Sequence, residues 1–222
     1  MLRSFRGVLC AAMVFIVYAP ALADDTHYQW KEVLNKNGIQ VFSGIAPGSP
    51  YRAAKAQMTI KGSISSLVAM LEDIKNCSNW ASLCKEVAVI ERLPNNESIL
   101  YILNEVTFPV ADRELVAHIS WAYDASSGRV TMSSEAIGYP KIPVRPSTVR
   151  LRNALTQWHF TPKPNGKVLV ESFAHIDPNG PIPAWIVNML SKRAPYRSME
   201  KIKEIIESGQ YSGKNTVFTI PR

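Results

Sequence analysis

Hydrophobic and polar residues alternate along most of this chain, and two segments instead have a helical spacing. The alternation predicts strands at 38–43, 51–60, 85–93, 98–107, 113–123, 129–137, 147–160 and 167–176. Short breaks rich in Pro, Gly and Asn separate the later strands, and Pro164-Asn165-Gly166 has the composition of a hairpin turn. Consecutive strands joined by short turns predict a meandering antiparallel sheet.

Two helices are predicted from apolar residues spaced three and four positions apart. Ser63 is the expected N-cap of the first helix. Its core-facing residues are Ile64, Leu67, Val68, Leu71 and Ile74. The second helix has Pro183 in its first turn and contains Pro195, which is expected to kink or interrupt it. No role is predicted for the polar segment after Gly209.

The N-terminus has the pattern of a signal peptide. Arg3 and Arg6 precede an apolar run at residues 8–17, and Ala21-Leu22-Ala23 forms a cleavage site. The run is about half of the roughly 20 residues that a transmembrane helix needs. We therefore expect cleavage after Ala23 and a periplasmic protein, with an uncleaved N-terminal anchor as the alternative. The predicted division is 1–23 for the signal peptide, 24–210 for one domain and 211–222 for a C-terminal tail.

Composition narrows the class of protein. The chain has 222 residues, of which 46% are hydrophobic and 19% charged, and its net charge is +7. A charged fraction below the ~25% of ordinary domains leaves residues for a large apolar interior. Nucleic acid is not an expected partner, because the chain lacks a recognition motif and is predicted to be exported.

Two cysteines, Cys77 and Cys84, remain after Cys10 leaves with the signal peptide. Two cysteines seven positions apart in an oxidising compartment predict a disulfide, and the spacing is not that of a C-x-x-C redox site. The four histidines show no paired spacing, so we expect neither a metal nor a cofactor.

Three motifs occur in a fixed order, and with Trp80 they carry a family resemblance. They are Phe108-Pro109-Val110-Ala111-Asp112-Arg113-Glu114, Trp158-His159-Phe160-Thr161-Pro162 with the following Asn165-Gly166, and the segment from Asp177-Pro178 to Trp185-Ile186-Val187-Asn188. They resemble the START domain, the StAR-related lipid-transfer family, over roughly residues 28–207. One departure is Glu114, where Asp is commoner in the family. The resemblance implies an α+β helix-grip fold, in which a curved antiparallel sheet wraps a long C-terminal helix around an apolar tunnel for one lipid.

Candidate ligand-binding residues follow from the implied tunnel. The small and large apolar candidates are Ala54, Trp121, Met132, Ala136, Trp158, Trp185 and Met189. Arg150 or Arg152 with Glu171 is a candidate charged pair across neighbouring strands, able to bind a lipid hydroxyl or head group. The alternatives are ordinary core positions for the apolar residues and a solvated ion pair for the charged ones. Arg113 and Glu114 are expected to fix a strand start and its loop.

Basic residues near the implied opening predict transient contact with an anionic membrane. They are Lys141 and Arg145 in the segment 138–146, and Lys192 and Arg193 on the last helix. The same loop and helix are expected to gate the tunnel. The alternative is that these charges only keep the surface soluble.

Two classes of function remain. The favoured one is a monomeric carrier that holds one lipid and exchanges it with membranes. The alternative is a cyclase-like or hydrolase-like enzyme on the same scaffold, which is an analogy of fold alone. No catalytic residue is predicted, because no nucleophile-elbow, zinc-protease or nucleotide-binding motif occurs. Two or more titratable groups converging on the tunnel would favour the enzyme.

Overall fold

The computed structural model describes residues 28–45, 48–106, 108–180, 182–183, 186 and 189–220. The predicted signal peptide and its cleavage site lie outside the described residues, as do Trp185 and the side chain of Met189.

Ten strands form a single open sheet. They are β1 (Gln29–Lys36), β2 (Ile39–Ile45), β3 (Arg52–Lys61), β4 (Cys84–Leu93), β5 (Glu97–Asn104), β6 (Asp112–Asp124), β7 (Arg129–Ala136), β8 (Thr148–Arg150), β9 (Ala154–Lys163) and β10 (Lys167–Ile176). Nine of them follow the order β1-β2-β3-β10-β9-β7-β6-β5-β4. All neighbours in this order are antiparallel. The predicted α+β class and antiparallel sheet are confirmed.

One predicted strand is wrong, and one strand of the structure was not predicted. The predicted strand at 147–160 is wrong, because it consists of two strands, β8 and β9, with different partners. β8 pairs in parallel with the start of β6, and the N–H of Leu151 then donates to the carbonyl oxygen of Glu114 at 2.8 Å. β1 was not predicted, since its mostly exposed residues at the sheet edge show no alternation.

The first helix, α1 (Ile64–Glu72), begins where the sequence predicts. The hydroxyl oxygen of Ser63 accepts a hydrogen bond from the backbone N–H of Ser66 at 3.1 Å, which satisfies one of the free donors at the helix start. A 3-10 helix, Ile74–Asn79, follows. α1 contacts β9 and therefore defines the face of the sheet that we call the inner face.

The predicted disulfide is confirmed. Cys77 in the 3-10 helix is bonded to Cys84 at the start of β4, with their Cα atoms 5.9 Å apart. The bond ties the segment after α1 to an edge strand of the sheet, close to the candidate site described below.

The C-terminal helical segment is described from Met189 onwards, and Ile186 before it is also helical. A π-helical turn, Met189–Arg193, precedes α2 (Ala194–Glu207), and Pro195 occupies the first turn of α2. Proline is tolerated there because the first N–H groups of a helix have no intrahelical partner. The expectation that Pro195 kinks or interrupts the helix stays a prediction, because Arg193 at the junction keeps right-handed helical backbone angles. α2 packs on β2 and β3 and buries Met199, Ile202 and Ile206.

The C-terminal segment packs against the core, although the sequence analysis gave it no role. Tyr211 and Phe218 are each only 3% exposed. The hydroxyl of Tyr211 donates to the carboxylate of Asp73 at 2.9 Å. The carboxylate of Glu72 accepts hydrogen bonds from the backbone N–H groups of Val217 and Phe218 at 2.7 and 2.8 Å. The segment is thus fastened to the end of α1 by both backbone and side-chain contacts.

The opposite, outer face of the sheet carries its own small apolar cluster. Its buried residues are Ile99, Tyr101, Leu103 and Val116 on β5 and β6. Ile137, Tyr139 and Ile142 of the connection after β7 pack against them. This connection therefore lies on the outer face.

Candidate ligand-binding cavity

A cavity of about 600 Å³ lies on the inner face of the sheet. Its walls are the inner-facing residues of β5, β6, β7, β9 and β10, the segment from α1 to β4, and the start of α2. Small residues such as Ala174 and Ser172 on β10 leave space on one side of the cavity. Aliphatic and aromatic side chains form much of the remaining lining. A volume of this size falls within the range of small-molecule binding sites.

Four of the predicted ligand-binding residues line this cavity: Ala54, Trp121, Met132 and Trp158. Met132 on β7 is directly opposite Trp121 on β6 and Trp158 on β9. These three large side chains form a continuous apolar strip across neighbouring strands. Ala54 on β3 is opposite Ala174 on β10, so two methyl groups meet at the other side of the wall.

Three other predicted residues lie outside the lining. Ala136 packs against Leu115 and Leu151, which line the cavity, but it is not itself part of the lining. Arg150 and Glu171 make ion pairs elsewhere.

The predicted pairing of Arg150 or Arg152 with Glu171 is wrong. Glu171 lies on β10 and Arg150 on β8 beside β6, so β9 and β7 separate the two strands. Instead, a carboxylate oxygen of Glu171 lies 3.8 Å from Nη2 of Arg129, and both side chains are partly exposed. The partner of Glu171 is therefore Arg129, which the sequence analysis did not consider, and the pair is partly solvated.

Arg150 pairs with Glu114, whose side chain is completely buried. Nη2 of Arg150 lies 2.8 Å from Oε1 of Glu114, and the hydroxyl of Tyr101 donates to Oε2 at 2.6 Å. The backbone N–H of Arg145 is a further donor at 3.2 Å. Burial alone would raise the pKa of Glu114, but these hydrogen bonds and the guanidinium charge outweigh it and lower the pKa. The pair stabilises the outer face of the sheet.

The loop at 138–146 is fastened to this outer face and contributes no residue to the described cavity lining. Both terminal nitrogens of Arg145 donate to the carboxylate of Glu86 at 2.8 Å. The guanidinium also lies over the ring of Tyr101, 4.6 Å from its centroid. Arg145 is therefore bound to Glu86 and Tyr101 on the outer face. The predicted position of this loop at the opening of the cavity is wrong, because none of its residues lines the cavity. Lys141 is exposed beside Tyr139 on the same loop.

Lys192 and Arg193 have a different position. Both are exposed on the π-helical turn before α2. Their neighbours Leu190, Ser191 and Ala194 line the cavity. These two cations therefore lie beside the cavity lining, and their contact with a membrane stays a prediction.

The C-terminal segment closes part of the cavity, which sequence reasoning missed. Val217 and Phe218 belong to the lining. The ring of Phe218 stacks on that of Trp121, with centroids 5.3 Å apart and planes inclined by 19°. The available signal was the group of apolar residues within an otherwise polar tail.

Arg113 faces the cavity from the start of β6, one position before the outward-facing Glu114. Its Nη1 donates to the carbonyl oxygen of Ala111 at 2.6 Å, and its Nε donates to that of Pro178 at 3.3 Å. These bonds join the start of β6 to the turn after β10, which is the structural role expected from the sequence.

Within the described part of the chain, no group of three or more His, Cys, Asp or Glu side chains is arranged to hold a metal ion. None of the described helices has the length and apolar character needed to cross a membrane.

Solved structures share this fold. A StAR-related lipid transfer protein from Xanthomonas axonopodis superposes with a TM-score of 0.71 at 24% identity, covering 80% of this chain and 98% of that one. Human STARD10 superposes with a TM-score of 0.70 at 22% identity, covering 82% of this chain and 76% of that one. At these identities the likeness establishes the fold alone, and it confirms the helix-grip prediction.

Sequence relatives extend the comparison. An uncharacterized protein of Pseudomonas aeruginosa is 26% identical over 206 residues, which is 91% of this chain and 98% of the relative. START domain-containing protein 10 of mouse is 25% identical over 136 residues, and this match covers 61% of this chain and 46% of the relative. The START domain family model matches residues 20–210, nearly the whole of the part that carries the sheet, the cavity and α2. The chain belongs to the START domain family.

Proposed function

We propose that this protein binds one lipid in the inner-face cavity and carries it between membranes as a monomer. The observation that carries the proposal is the cavity of about 600 Å³, walled largely by apolar side chains and bordered by the start of α2 and the C-terminal segment. Membership of the START family supports it, as does the fold shared with a bacterial protein named for lipid transfer.

The charged groups at the cavity favour a carrier over an enzyme. Two carboxylates belong to the lining, Glu72 and Glu97. Glu72 binds the backbone of the C-terminal segment, and Glu97 lies 2.8 Å from Nε2 of His118. Both are thus engaged with other protein groups rather than aimed together at a common point, which acid–base catalysis on a bound substrate requires.

Filling the cavity tests the proposal. In Ala54→Phe, a ring replaces a methyl group that lines the cavity, so the variant is expected to retain at least about 10-fold less lipid than the parent protein. Lipids that co-purify with the two proteins are quantified by mass spectrometry. The matched control is Thr59→Phe, which adds the same ring at an exposed position of the same strand.

Thermal unfolding separates a blocked cavity from a broken fold. Ala54→Phe is expected to melt cooperatively, since the cavity offers space for the ring. If Ala54→Phe folds and retains as much lipid as Thr59→Phe, this cavity does not hold the ligand.

The place of action that we propose is the periplasm, after cleavage behind Ala23. The n-region, the apolar run and the Ala21-Leu22-Ala23 site support this. The Cys77–Cys84 bond adds support, because disulfides persist in oxidising compartments. The intact mass of protein from the periplasmic fraction is expected to match a chain that begins at Asp24. A mass that includes Met1 would instead favour a membrane anchor.

Contact with an anionic membrane is proposed to use Lys192 and Arg193 beside the cavity lining. Each basic residue near such a surface adds about 1 kcal/mol, so removing both should weaken docking by about 2 kcal/mol at low salt, or roughly 30-fold. We expect Lys192→Ala/Arg193→Ala to slow lipid transfer between anionic vesicles to a similar degree. The effect should shrink as salt shortens the screening length to about 8 Å or less.

A matched double variant gives the control for this prediction. Lys163→Ala/Lys167→Ala also removes two exposed cations, but from the β9–β10 hairpin rather than from beside the cavity lining. Equal effects of the two double variants would show that only net charge matters and that the position beside the cavity has no special role.

A further inference from the structure

Arg113 is a buried cation on the wall of the cavity. Only 7% of the residue is exposed, and it faces inward because its neighbour Glu114 faces the outer side of β6. Directly opposite on β5 is Asn104, which also lines the cavity. A guanidinium group and a side-chain amide therefore lie side by side at one end of an otherwise largely apolar wall.

The guanidinium of Arg113 is held in place but not neutralised. It donates from Nη1 and Nε to two backbone carbonyl oxygens, those of Ala111 and Pro178. No carboxylate of the described residues lies within 4.0 Å of it. By contrast, Arg145 and Arg150 each have a carboxylate partner at 2.8 Å. Burial lowers the pKa of Arg113, which is the sign of a charge that has lost solvent.

A buried charge is costly unless it is paired with an opposite charge and hydrogen-bonded. The carbonyl oxygens supply hydrogen bonds to two nitrogens of Arg113, and Nη2 has no acceptor among the described residues. The two carboxylates of the lining, Glu72 and Glu97, bind other groups. Among the described residues, no carboxylate is placed to balance the charge of Arg113, so an anionic group of a bound ligand suits this position.

We propose that the ligand carries an anionic group, a carboxylate or a phosphate, that binds Arg113 with Asn104 as a second donor. This inference rests on the proposed lipid-binding function and names the class of lipid. The planar guanidinium suits either anion, because carboxylate and phosphate both accept two hydrogen bonds from it. The acyl chain then extends along the strip formed by Trp121, Met132 and Trp158.

Two matched pairs of lipids test the inference on the parent protein. One pair is oleic acid and oleyl alcohol, and the other is dioleoyl phosphatidic acid and dioleoylglycerol. Within each pair the chains are the same and only the anionic group differs. Dissociation constants are measured by the change in tryptophan fluorescence, since Trp121 and Trp158 line the cavity. We expect the charged member of one pair to bind about 10- to 100-fold tighter, and that pair identifies carboxylate or phosphate as the source.

Variants then assign the preference to Arg113. Arg113→Met is expected to bind the charged and neutral members within about threefold of each other, while Arg113→Lys keeps part of the preference. The control is Arg152→Met, which removes an exposed guanidinium outside the described cavity lining and should leave the preference unchanged. If Arg113→Met fails to fold, the test uses the parent protein and Arg113→Lys, whose preference for the charged lipid should be smaller than that of the parent.

The outcomes separate this inference from the proposed function. Equal affinity of the parent protein for both members of both pairs overturns the inference and leaves lipid binding intact. A preference that survives in Arg113→Met also overturns it. If none of the four lipids binds, the inference and the proposed function fail together.

Discussion

Replacing Phe218 by Ala is expected to destabilise the protein by about 3–5 kcal/mol, the range found when a buried aromatic side chain is truncated. Phe218 is 3% exposed and its ring stacks on Trp121 at the wall of the cavity. The variant loses this contact, and water enters the cavity beside α1. The free energy of unfolding is measured by urea denaturation of the parent and variant proteins.

The neighbouring residue supplies the control. Val217 lies in the same segment but is 63% exposed, so Val217→Ala should change the free energy of unfolding by no more than about 0.5 kcal/mol. A chain that ends at Gln210 should be at least as unstable as Phe218→Ala, since it also loses the buried Tyr211. Equal stability of Phe218→Ala and Val217→Ala would show that the segment does not contribute to the core.

This expected effect matters for the family comparison, because the START match ends at residue 210. The segment that follows is fastened to Glu72 and Asp73 at the end of α1. A part of this chain outside the matched region therefore helps to enclose the cavity. Sequence reasoning that followed the family pattern stopped at the same place and gave the tail no role.

Local sequence rules were sufficient where the local pattern decides the structure. β10 spans residues 167–176 as predicted, because strict alternation and the Pro164-Asn165-Gly166 turn mark its extent. α1 begins after Ser63 because the N-cap bond is local. β8 and β9 were predicted as one strand, since nothing in the sequence reveals that β8 pairs with the distant start of β6. Such a pairing depends on tertiary contacts.

Local sequence patterns also predicted part of the cavity lining, whereas the rest depends on tertiary contacts. Alternation assigned Trp121, Met132 and Trp158 to one face, and that face carries the cavity. Alternation gives the face on which a residue lies but not how far the cavity extends along that face. Ala136 was therefore predicted to line the cavity, although it only packs against lining residues such as Leu115 and Leu151. Partners of charged residues were the hardest to predict, because they depend on the order of strands in the sheet. Arg150 pairs with Glu114 because β8 lies beside the start of β6.

Replacing Glu114 by Gln is expected to cost about 3–5 kcal/mol, the range for breaking a buried ion pair by removing one partner. Glu114 is fully buried, and Arg150, its partner, has a side chain only 14% exposed. Gln keeps the shape and can still accept a hydrogen bond from Tyr101, so the loss reports the missing charge. Urea denaturation at pH 7 measures it.

Glu86→Gln is the matched control on the same face. It removes the carboxylate partner of Arg145, but both side chains of that pair are 44% exposed. Exposed pairs contribute about 0–1 kcal/mol, so the control should differ little from the parent protein. A loss in Glu114→Gln no larger than in Glu86→Gln would contradict the conclusion that the buried Glu114–Arg150 pair stabilises the outer face of the sheet.

The pH dependence gives an independent test of the same pair. The pKa of Glu114 is lower in the folded protein than its ordinary value, so its charge stabilises the fold above the unfolded pKa of about 4.3. This contribution is lost as the pH falls through that value towards the lower folded pKa. Glu114→Gln has no group to titrate, and the parent protein should therefore lose its advantage over the variant as the pH falls below the unfolded pKa of about 4.3. A constant difference across this fall in pH would mean that the stabilisation comes from shape and packing rather than from the carboxylate charge.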